Sequence, residues 1–194
     1  MANQIPVTTV ILAGGQGSRM GGDKALRDLR GLPLIEWVIG CIQPQDTQIL
    51  ISANTNLAEL ARFGYPVLPD LLSGYRGPLA GLHSAMHYAE SEWVASVPCD
   101  TPFLPDDLIV RLLRAAGNAE AAVAVVEGRW QPTIAIYRRH LHARLHEFLE
   151  SGERRVSAWL GQLQVREAVF EEDDAFVNIN SLEELDAANG STKN

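Results

Sequence analysis

The sequence predicts a single three-layer α/β domain over residues 1–194, in which a mostly parallel sheet carries helices on both faces. Three observations predict this fold. Short apolar runs rich in β-branched residues alternate with helical segments along the chain, as in βαβ architectures. A glycine-rich segment directly follows the first of these runs. The length of 194 residues suits one domain with a substantial core and is marginal for two.

The strands are predicted from short apolar runs that are bounded by turn residues. The runs over 8–12, 47–53, 65–70 and 92–100 are candidates for buried parallel strands, and the last is the candidate central strand. Residues 121–127 and 132–137 form two strands around a "GRW" turn, whereas 163–170 alternates like an exposed strand. A final short strand is predicted over 176–180.

The helices are predicted from apolar periodicity and from their end signals. The six predicted helices cover residues 33–42, 57–64, 77–91, 104–117, 138–152 and 181–188. Pro33 suits a first turn and Gly64 a helix end. Pro105 and two aspartates mark the start of helix 104–117. Ser181 and Glu184 form a capping box for the last helix.

Composition and charge exclude several classes of protein. No stretch approaches the roughly 18 consecutive apolar residues of a membrane span, and the N-terminus lacks the pattern of a secretory signal. Two cysteines are too few for a disulfide scaffold or a cysteine zinc cluster. The net charge is −8, and seven acidic residues lie within 171–186. We therefore expect a soluble cytoplasmic protein that binds neither nucleic acid nor membrane.

The glycine-rich segment over 13–24 is predicted to bind phosphate. Glycines let backbone N–H groups converge on an anion, and Arg19 and Lys24 add two cations to the same loop. The alternative is a glycine-rich turn with solvated charges. We favour it less because the loop that carries both cations directly follows a predicted strand.

Neither of two familiar glycine motifs fits this loop. A dinucleotide-binding fingerprint needs a third glycine where Met20 stands. A P-loop needs lysine directly after its second glycine, but Asp23 intervenes, and Ala25 follows Lys24 where Ser or Thr is required. The loop is therefore of another type.

Three polar features follow predicted strands, namely the glycine loop after Leu12, Asp70 and Asp100. Ligands of parallel α/β sheets bind beyond the carboxyl ends of the strands, so this coincidence indicates one site. Asp100 could hold Mg²⁺ together with substrate phosphates. It could also serve as a turn or helix-capping aspartate, but its pairing with a cationic phosphate loop favours the metal.

Several motifs, spread over residues 10–186, resemble a known family. "VILAGGQGSRMGGDK" is similar to the loop of nucleotidyltransferases, a group that includes sugar-nucleotide pyrophosphorylases. The ordered set "LPDLLSGYRGPLAGLHSAM", "VPCDTPFLP", "QPTIAIY", "SGERRV" and "DAFVNINSLEEL" resembles the molybdenum cofactor guanylyltransferase family more specifically. The resemblance implies a Rossmann-like domain of the nucleotide-diphospho-sugar transferase type, with a GTP-binding N-terminal half and a molybdopterin-binding C-terminal half.

The resemblance also implies roles for individual residues. GTP would be contacted by Leu12, Ala13, Gly14, Gly15, Lys24, Ser52, Asp70 and Asp100. Ser52 stands where the family often has asparagine, and its reach is shorter. Arg19 and Lys24 would neutralise the triphosphate, and Asp100 would bind Mg²⁺, so these three would be catalytic. Asn178 and Asn180 would contact molybdopterin, and their alternation in the predicted strand 176–180 places both on one face.

The implied activity is transfer of GMP from GTP to the terminal phosphate of molybdopterin, with release of pyrophosphate. No general base is needed because a phosphomonoester is already largely ionised near pH 7. Two alternatives remain: nucleotidyl transfer with CTP or to a sugar phosphate, and GTP binding by a regulator without turnover. The family further implies transient contacts with proteins that deliver molybdopterin or mature molybdoenzymes.

Other reactive side chains are interpreted as structural. His83 and His87 have metal-ligand spacing on one predicted helix, but no third ligand is evident, so we favour satisfied helix histidines. His142 and His146 repeat that spacing on a charged and solvated face. Cys99 suits a buried, inert thiol. Trp130 could stack on a pterin but is as readily a packed turn residue.

Overall fold

A seven-stranded, mostly parallel sheet forms the centre of the computed structural model, which describes residues 5–14, 24–45, 47–74, 77–179 and 184. The strands of the central sheet are β1 (Val7–Leu12), β4 (Gln48–Ser52), β5 (Val67–Leu68), β6 (Trp93–Pro98), β7 (Ala121–Val126), β8 (Arg129–Arg138) and β9 (Val165–Phe170). Their order is β5-β4-β1-β6-β8-β7-β9. Only β8 pairs in antiparallel fashion within this sheet, on both of its sides.

The helices lie in the connections between strands. They are α1 (Leu34–Ile42), α2 (Leu57–Ala61), α3 (Pro78–Tyr88), α4 (Leu108–Ala116), α5 (His142–Glu150) and α6 (Val156–Leu160). A small hairpin of β2 (Asp28–Leu29) and β3 (Leu32–Pro33) precedes α1. The hairpin and α6 have no counterpart in the sequence prediction.

Two apolar cores cover the two faces of the sheet. The first packs α1, α2 and α4 against one face, and the second packs α3, α5 and α6 against the other. The side chains of β1 alternate between the two cores, since Ile11 belongs to the first core and Val10 to the second. The predicted three-layer α/β architecture with a mostly parallel sheet is therefore confirmed. No helix within the described residues is long and apolar enough to cross a membrane.

Helix α4 begins at Leu108, four residues later than predicted, and its N-terminus is capped from a distance. Asp107 makes no capping bond with its side chain. Instead, Gln45 Oε1 accepts the Ile109 N–H at 2.8 Å, and Gln45 Nε2 donates to the Pro105 carbonyl at 3.1 Å. Because this cap comes from a residue 64 positions away, local sequence signals could not locate the helix start.

The turn between β7 and β8 is tighter than predicted. It consists of Glu127 and Gly128, both with positive φ, whereas Arg129 and Trp130 already pair with β7. The Trp130 indole N–H donates to Glu167 Oε1 on β9 at 2.7 Å. Trp130 is thus a strand residue that is tied to its own sheet, and its assignment to the turn was wrong.

The predicted strand over 176–180 is wrong within the described residues. Residues 173–176 form a 3₁₀ turn, and residues 177–179 are irregular. The argument that Asn178 and Asn180 share a strand face therefore fails, and Asn180 itself lies outside the described residues. The predicted helix 181–188 also lies outside them, except for Glu184, which is helical.

Candidate active site

The carboxyl ends of four neighbouring parallel strands, β5, β4, β1 and β6, meet at one edge of the sheet. Backbone pairing continues past the strand ends. Ala13 N donates to the Ser52 carbonyl at 2.8 Å, and Cys99 N donates to the Leu12 carbonyl at 3.2 Å. The structure thereby brings together the segments that directly follow β1, β4 and β6, and the sequence had already assigned the features after β1 and β6 to one site.

Lys24 and Asp100 form a direct ion pair at this edge. Lys24 Nζ contacts Asp100 Oδ2, and the two side chains are 21% and 15% exposed. Lys24 opens a 3₁₀ turn whose next residue, Ala25, is buried in the first core, so the backbone that carries the cation is anchored. Asp100 follows β6 in a turn. A cation from the glycine-rich loop therefore meets the carboxylate predicted to bind metal.

The second oxygen of Asp100 is available for a ligand. Asp100 Oδ1 is buried and has no hydrogen-bond partner within the described part of the chain. An orphaned buried carboxylate oxygen suits a hard cation such as Mg²⁺. No group of three or more His, Cys, Asp or Glu side chains among the described residues could hold a metal ion. A metal at Asp100 would therefore draw further ligands from substrate phosphates and water, as Mg²⁺ commonly does.

Asp70 is held by Asn54, a residue that the sequence analysis did not single out. Asn54 Nδ2 donates to Asp70 Oδ2 at 2.8 Å, and Asp70 N donates to Asn54 Oδ1 at 2.9 Å. Burial raises the pKa of Asp70 above its ordinary value, and the hydrogen bond from Asn54 opposes that rise. Asn54 could have been noticed because it is a polar residue just past a buried strand.

Helix α3 packs closely against the carboxyl ends of β1 and β4. Ser52 is buried, and a β-carbon on Gly81 of α3 would lie 2.3 Å from Ser52 Oγ and 2.9 Å from Leu12 Cδ2. Only glycine permits this approach. Ser84 of the same helix accepts the N–H of Leu71, the residue after Asp70, at 3.0 Å. Helix α3 thus supports both the Ser52 and the Asp70 segments.

The remaining predicted site residues divide into two groups. Gly15, Arg19 and Asn180 lie outside the described residues. Gly14 and Asn178 are described and exposed. Asn178 lies next to Ile179, whose N–H donates to the Asp100 carbonyl at 2.9 Å, so the predicted acceptor segment is tied to the predicted metal ligand.

Cys99 precedes Asp100 but is buried. Burial raises the pKa of its thiol to about 12, so it remains protonated and unreactive near neutral pH. The interpretation of Cys99 as an inert core residue agrees with this placement.

Four of the five histidines form a cluster between α3 and α5. The His83 ring stacks on that of His142 with 4.3 Å between centroids, and His83 Nε2 lies 3.3 Å from His146 Nδ1. His87 completes the cluster at 5.6 Å from His142. The interpretation of His83 as a satisfied helix histidine was wrong, and so was that of His142 and His146 as a solvated face, because both rings pack against His83. Within the described residues, His83 Nδ1 and His142 Nε2 have no hydrogen-bond partner.

A mostly parallel α/β sheet that carries a lysine–aspartate pair at its carboxyl edge suits a nucleotidyltransferase. The sequence model of the MobA-like NTP transferase domain matches residues 9–167. The chain belongs to the MobA-like NTP transferase family.

Individual relatives agree with this membership over almost the whole chain. A molybdenum cofactor guanylyltransferase from Shewanella sp. (strain MR-4) is 43% identical over 184 residues, which are 93% of each chain. One from Yersinia pseudotuberculosis serotype O:1b is 40% identical over 182 residues, again 93% of each. The crystal structure of molybdopterin-guanine dinucleotide biosynthesis protein A from Archaeoglobus fulgidus superposes with a TM-score of 0.78 at 26% identity, covering 94% of this chain and 96% of that one.

Proposed function

We propose that this chain transfers GMP from GTP to the terminal phosphate of molybdopterin, which forms molybdopterin guanine dinucleotide and releases pyrophosphate. The names of its relatives, at 40–44% identity over more than nine-tenths of the chain, support this reaction. The observation that carries the proposal is the Lys24–Asp100 pair at the edge where the strands end, together with the buried Asp100 Oδ1, which has no hydrogen-bond partner among the residues that the structure describes.

Charge neutralisation is the main task in such a reaction. A phosphate nucleophile and a triphosphate repel each other, so catalysis depends on positioning and on local cations. Lys24 supplies one cation on an anchored turn, and Arg19 in the same loop supplies a second. The nucleophile has a second pKa near 6 and is already largely ionised at pH 7. The chain therefore needs no general base.

Asp100 would hold Mg²⁺ through Oδ1 while Lys24 engages Oδ2. When bound, the metal supplies positive charge and Lewis acidity to the phosphates. Lys24 would keep the carboxylate oriented before substrates enter.

The two substrates would occupy different halves of the cleft. The backbone at Leu12, Ala13, Gly14 and Gly15, together with Ser52 and Asp70, would form the GTP side. Asn178, whose segment is tied to the Asp100 turn, would form the molybdopterin side together with Asn180. Proteins that deliver molybdopterin or receive the product would approach this second side transiently.

Pyrophosphate release measured with molybdopterin, Mg²⁺ and each nucleoside triphosphate in turn tests the reaction. We expect turnover with GTP and little with ATP, CTP or UTP, because purine-edge hydrogen bonds discriminate strongly between bases. Asp100→Asn is the inactive control. Preference for CTP would indicate a cytidylyltransferase, and turnover with a sugar phosphate instead of molybdopterin would indicate a pyrophosphorylase. Tight GTP binding without turnover would indicate a regulator.

A further inference from the structure

A short side-chain hydrogen bond joins Thr101 to Asn178 across 77 positions of sequence. Thr101 Oγ1 donates to Asn178 Oδ1 at 2.6 Å. Thr101 is fully buried, whereas Asn178 is exposed. A buried hydroxyl thus holds the oxygen of an amide that belongs to an exposed residue.

A second contact fixes the same segment. Ile179 N donates to the Asp100 carbonyl at 2.9 Å, and the Ile179 side chain is 3% exposed in a small core with Leu29 and Leu34. Residues 178 and 179 are therefore tied to residues 100 and 101 by one side-chain and one backbone hydrogen bond. This double attachment places the Asn178 amide beside the Asp100 turn although residues 177–179 form no strand.

The orientation of the amide decides what it can bind. An asparagine side chain has one oxygen, which only accepts, and one NH₂ group, which only donates. Thr101 occupies Oδ1, and within the described residues no hydrogen bond engages the two N–H bonds of Nδ2, which can therefore donate to a ligand. Phosphate oxygens are acceptors, so an amide held in this orientation attracts a phosphate. The flipped amide would instead turn its own oxygen, another acceptor, toward the phosphate.

We propose that Thr101 is a positioning residue, which fixes the Asn178 amide so that Nδ2 donates to the phosphate of the acceptor. This inference rests on the proposed function for the identity of the acceptor and deepens it by assigning the contact to the attacking phosphate and not to the pterin ring. The buried hydroxyl acts only through Asn178 and does not contact substrate.

The kinetic test compares Thr101→Val with Thr101→Ser. Valine keeps the volume but removes the hydroxyl, and we expect the KM for molybdopterin to rise about 5- to 30-fold, the range for one lost hydrogen bond to a charged or buried group. The KM for GTP should stay within about twofold because the GTP side does not use Asn178. Serine keeps the hydroxyl and should restore the wild-type KM for molybdopterin.

Thr9→Val is the matched control. Thr9 is also fully buried, and its hydroxyl accepts a hydrogen bond from Thr47 at 2.9 Å in the middle of β1, away from the cleft. This variant loses a comparable buried bond, so it reports the effect of lost stability alone. An acceptor KM that rises equally in both valine variants would overturn the proposal.

A second measurement separates this inference from the proposed reaction. Side-chain ¹⁵N–¹H signals of Asn178, identified by their absence in Asn178→Ala, should shift when phenyl phosphate is added to the wild type and not when it is added to Thr101→Val. If the wild type fails to form product but shows this difference, the proposed reaction is wrong and the positioning role stands. Equal shifts in both proteins, or none in the wild type, would refute the positioning role.

Discussion

Lys24 and Asp100 meet at the carboxyl edge of the sheet although 76 positions separate them. Lys24 comes from the segment that follows β1, and Asp100 comes from the turn that follows β6, the strand beside β1. The ion pair therefore joins the ends of two neighbouring strands at this edge of the sheet. Within the described part of the chain, Asp100 Oδ2 is engaged by Lys24, whereas the buried Oδ1 has no hydrogen-bond partner.

Removing either partner of this pair should separate stability from activity. Lys24→Met leaves the partly buried Asp100 carboxylate without the Lys24 ammonium group, and we expect a loss of about 1–3 kcal/mol in the free energy of unfolding. Adding Asp100→Asn to Lys24→Met should recover part of that loss because no charge is left uncompensated. Activity should be about 10²- to 10³-fold below wild type in Lys24→Met, in Asp100→Asn and in the double variant.

Urea unfolding and pyrophosphate assays on the two single variants and the double variant make this measurement as a double-mutant cycle. If the stability losses simply add, the two side chains are not energetically coupled in solution.

Asn54 should control GTP affinity through Asp70. Asn54→Ala removes the donor that stabilises the Asp70 carboxylate, so the pKa of Asp70 should rise further and the carboxyl group should lose its fixed orientation. We expect GTP affinity measured by calorimetry to fall about 10- to 150-fold, which corresponds to one hydrogen bond to a charged group at roughly 1.5–3 kcal/mol. Asn118→Ala, at an exposed position after α4, is the control and should bind GTP like the wild type.

The sequence predicted the sheet and the converging strand ends well because both depend on local patterns. Runs such as 8–12 are apolar and β-branched enough to be buried on both faces, and parallel connections then force their carboxyl ends to one edge. Asp70 and Asp100 could be placed at that edge without knowing any tertiary contact.

What the sequence could not predict depends on partners that are distant in the chain. Alternation over 176–180 is compatible with a strand, but a strand also needs a neighbouring strand to pair with. Within the described residues, Ile179 makes one backbone hydrogen bond, to the Asp100 carbonyl. The spacing of His83 and His87 shows that they share a helix face, yet nothing local shows that α5 brings His142 against that face. The cap of α4 by Gln45 and the support of Asp70 by Asn54 were missed for the same reason.

Gly81 should be required for the packing of α3. Alanine normally stabilises a helix interior by ~0.5–1 kcal/mol relative to glycine. At Gly81, however, the added β-carbon would lie 2.3 Å from Ser52 Oγ and 2.9 Å from both Leu12 Cδ2 and Ser52 Cβ. Helix α3 or the β4 end must then move, and we expect Gly81→Ala to lower the free energy of unfolding by about 1–3 kcal/mol.

Gly40→Ala is the matched control, because Gly40 lies within α1 and a β-carbon there would meet nothing within 4 Å. Thermal or urea unfolding should show Gly40→Ala to be at least as stable as the wild type. A Gly81→Ala variant of wild-type stability would mean that the close approach of α3 to Ser52 does not exist in solution.

The histidine cluster should make the fold sensitive to acid. Burial, and then the neighbouring rings of His142, His146 and His87, lower the pKa of His83 to about 4. The pKa of His142 is lowered by burial and by His87, His146 and Arg139. Histidines of the unfolded chain have pKa values near 6.5. As the pH falls from about 6.5 to about 4, the unfolded chain therefore binds a proton at His83 while His83 of the folded chain stays neutral. Stability contributed by neutral His83 is complete above this window and is lost as the pH falls through it.

His83→Gln isolates this effect from the titration of carboxyl groups, which overlaps it at the acid end. We expect the difference in the free energy of unfolding between pH 7 and pH 4.5 to be smaller in His83→Gln than in the wild type by roughly 1–3 kcal/mol, since each unit of pKa shift corresponds to ~1.4 kcal/mol. His140→Gln is the control because His140 is exposed and is not part of the cluster, so its pH dependence should match that of the wild type. The same slope in His83→Gln as in the wild type would show that His83 is not held neutral between α3 and α5, and the acid sensitivity would then have to come from other groups.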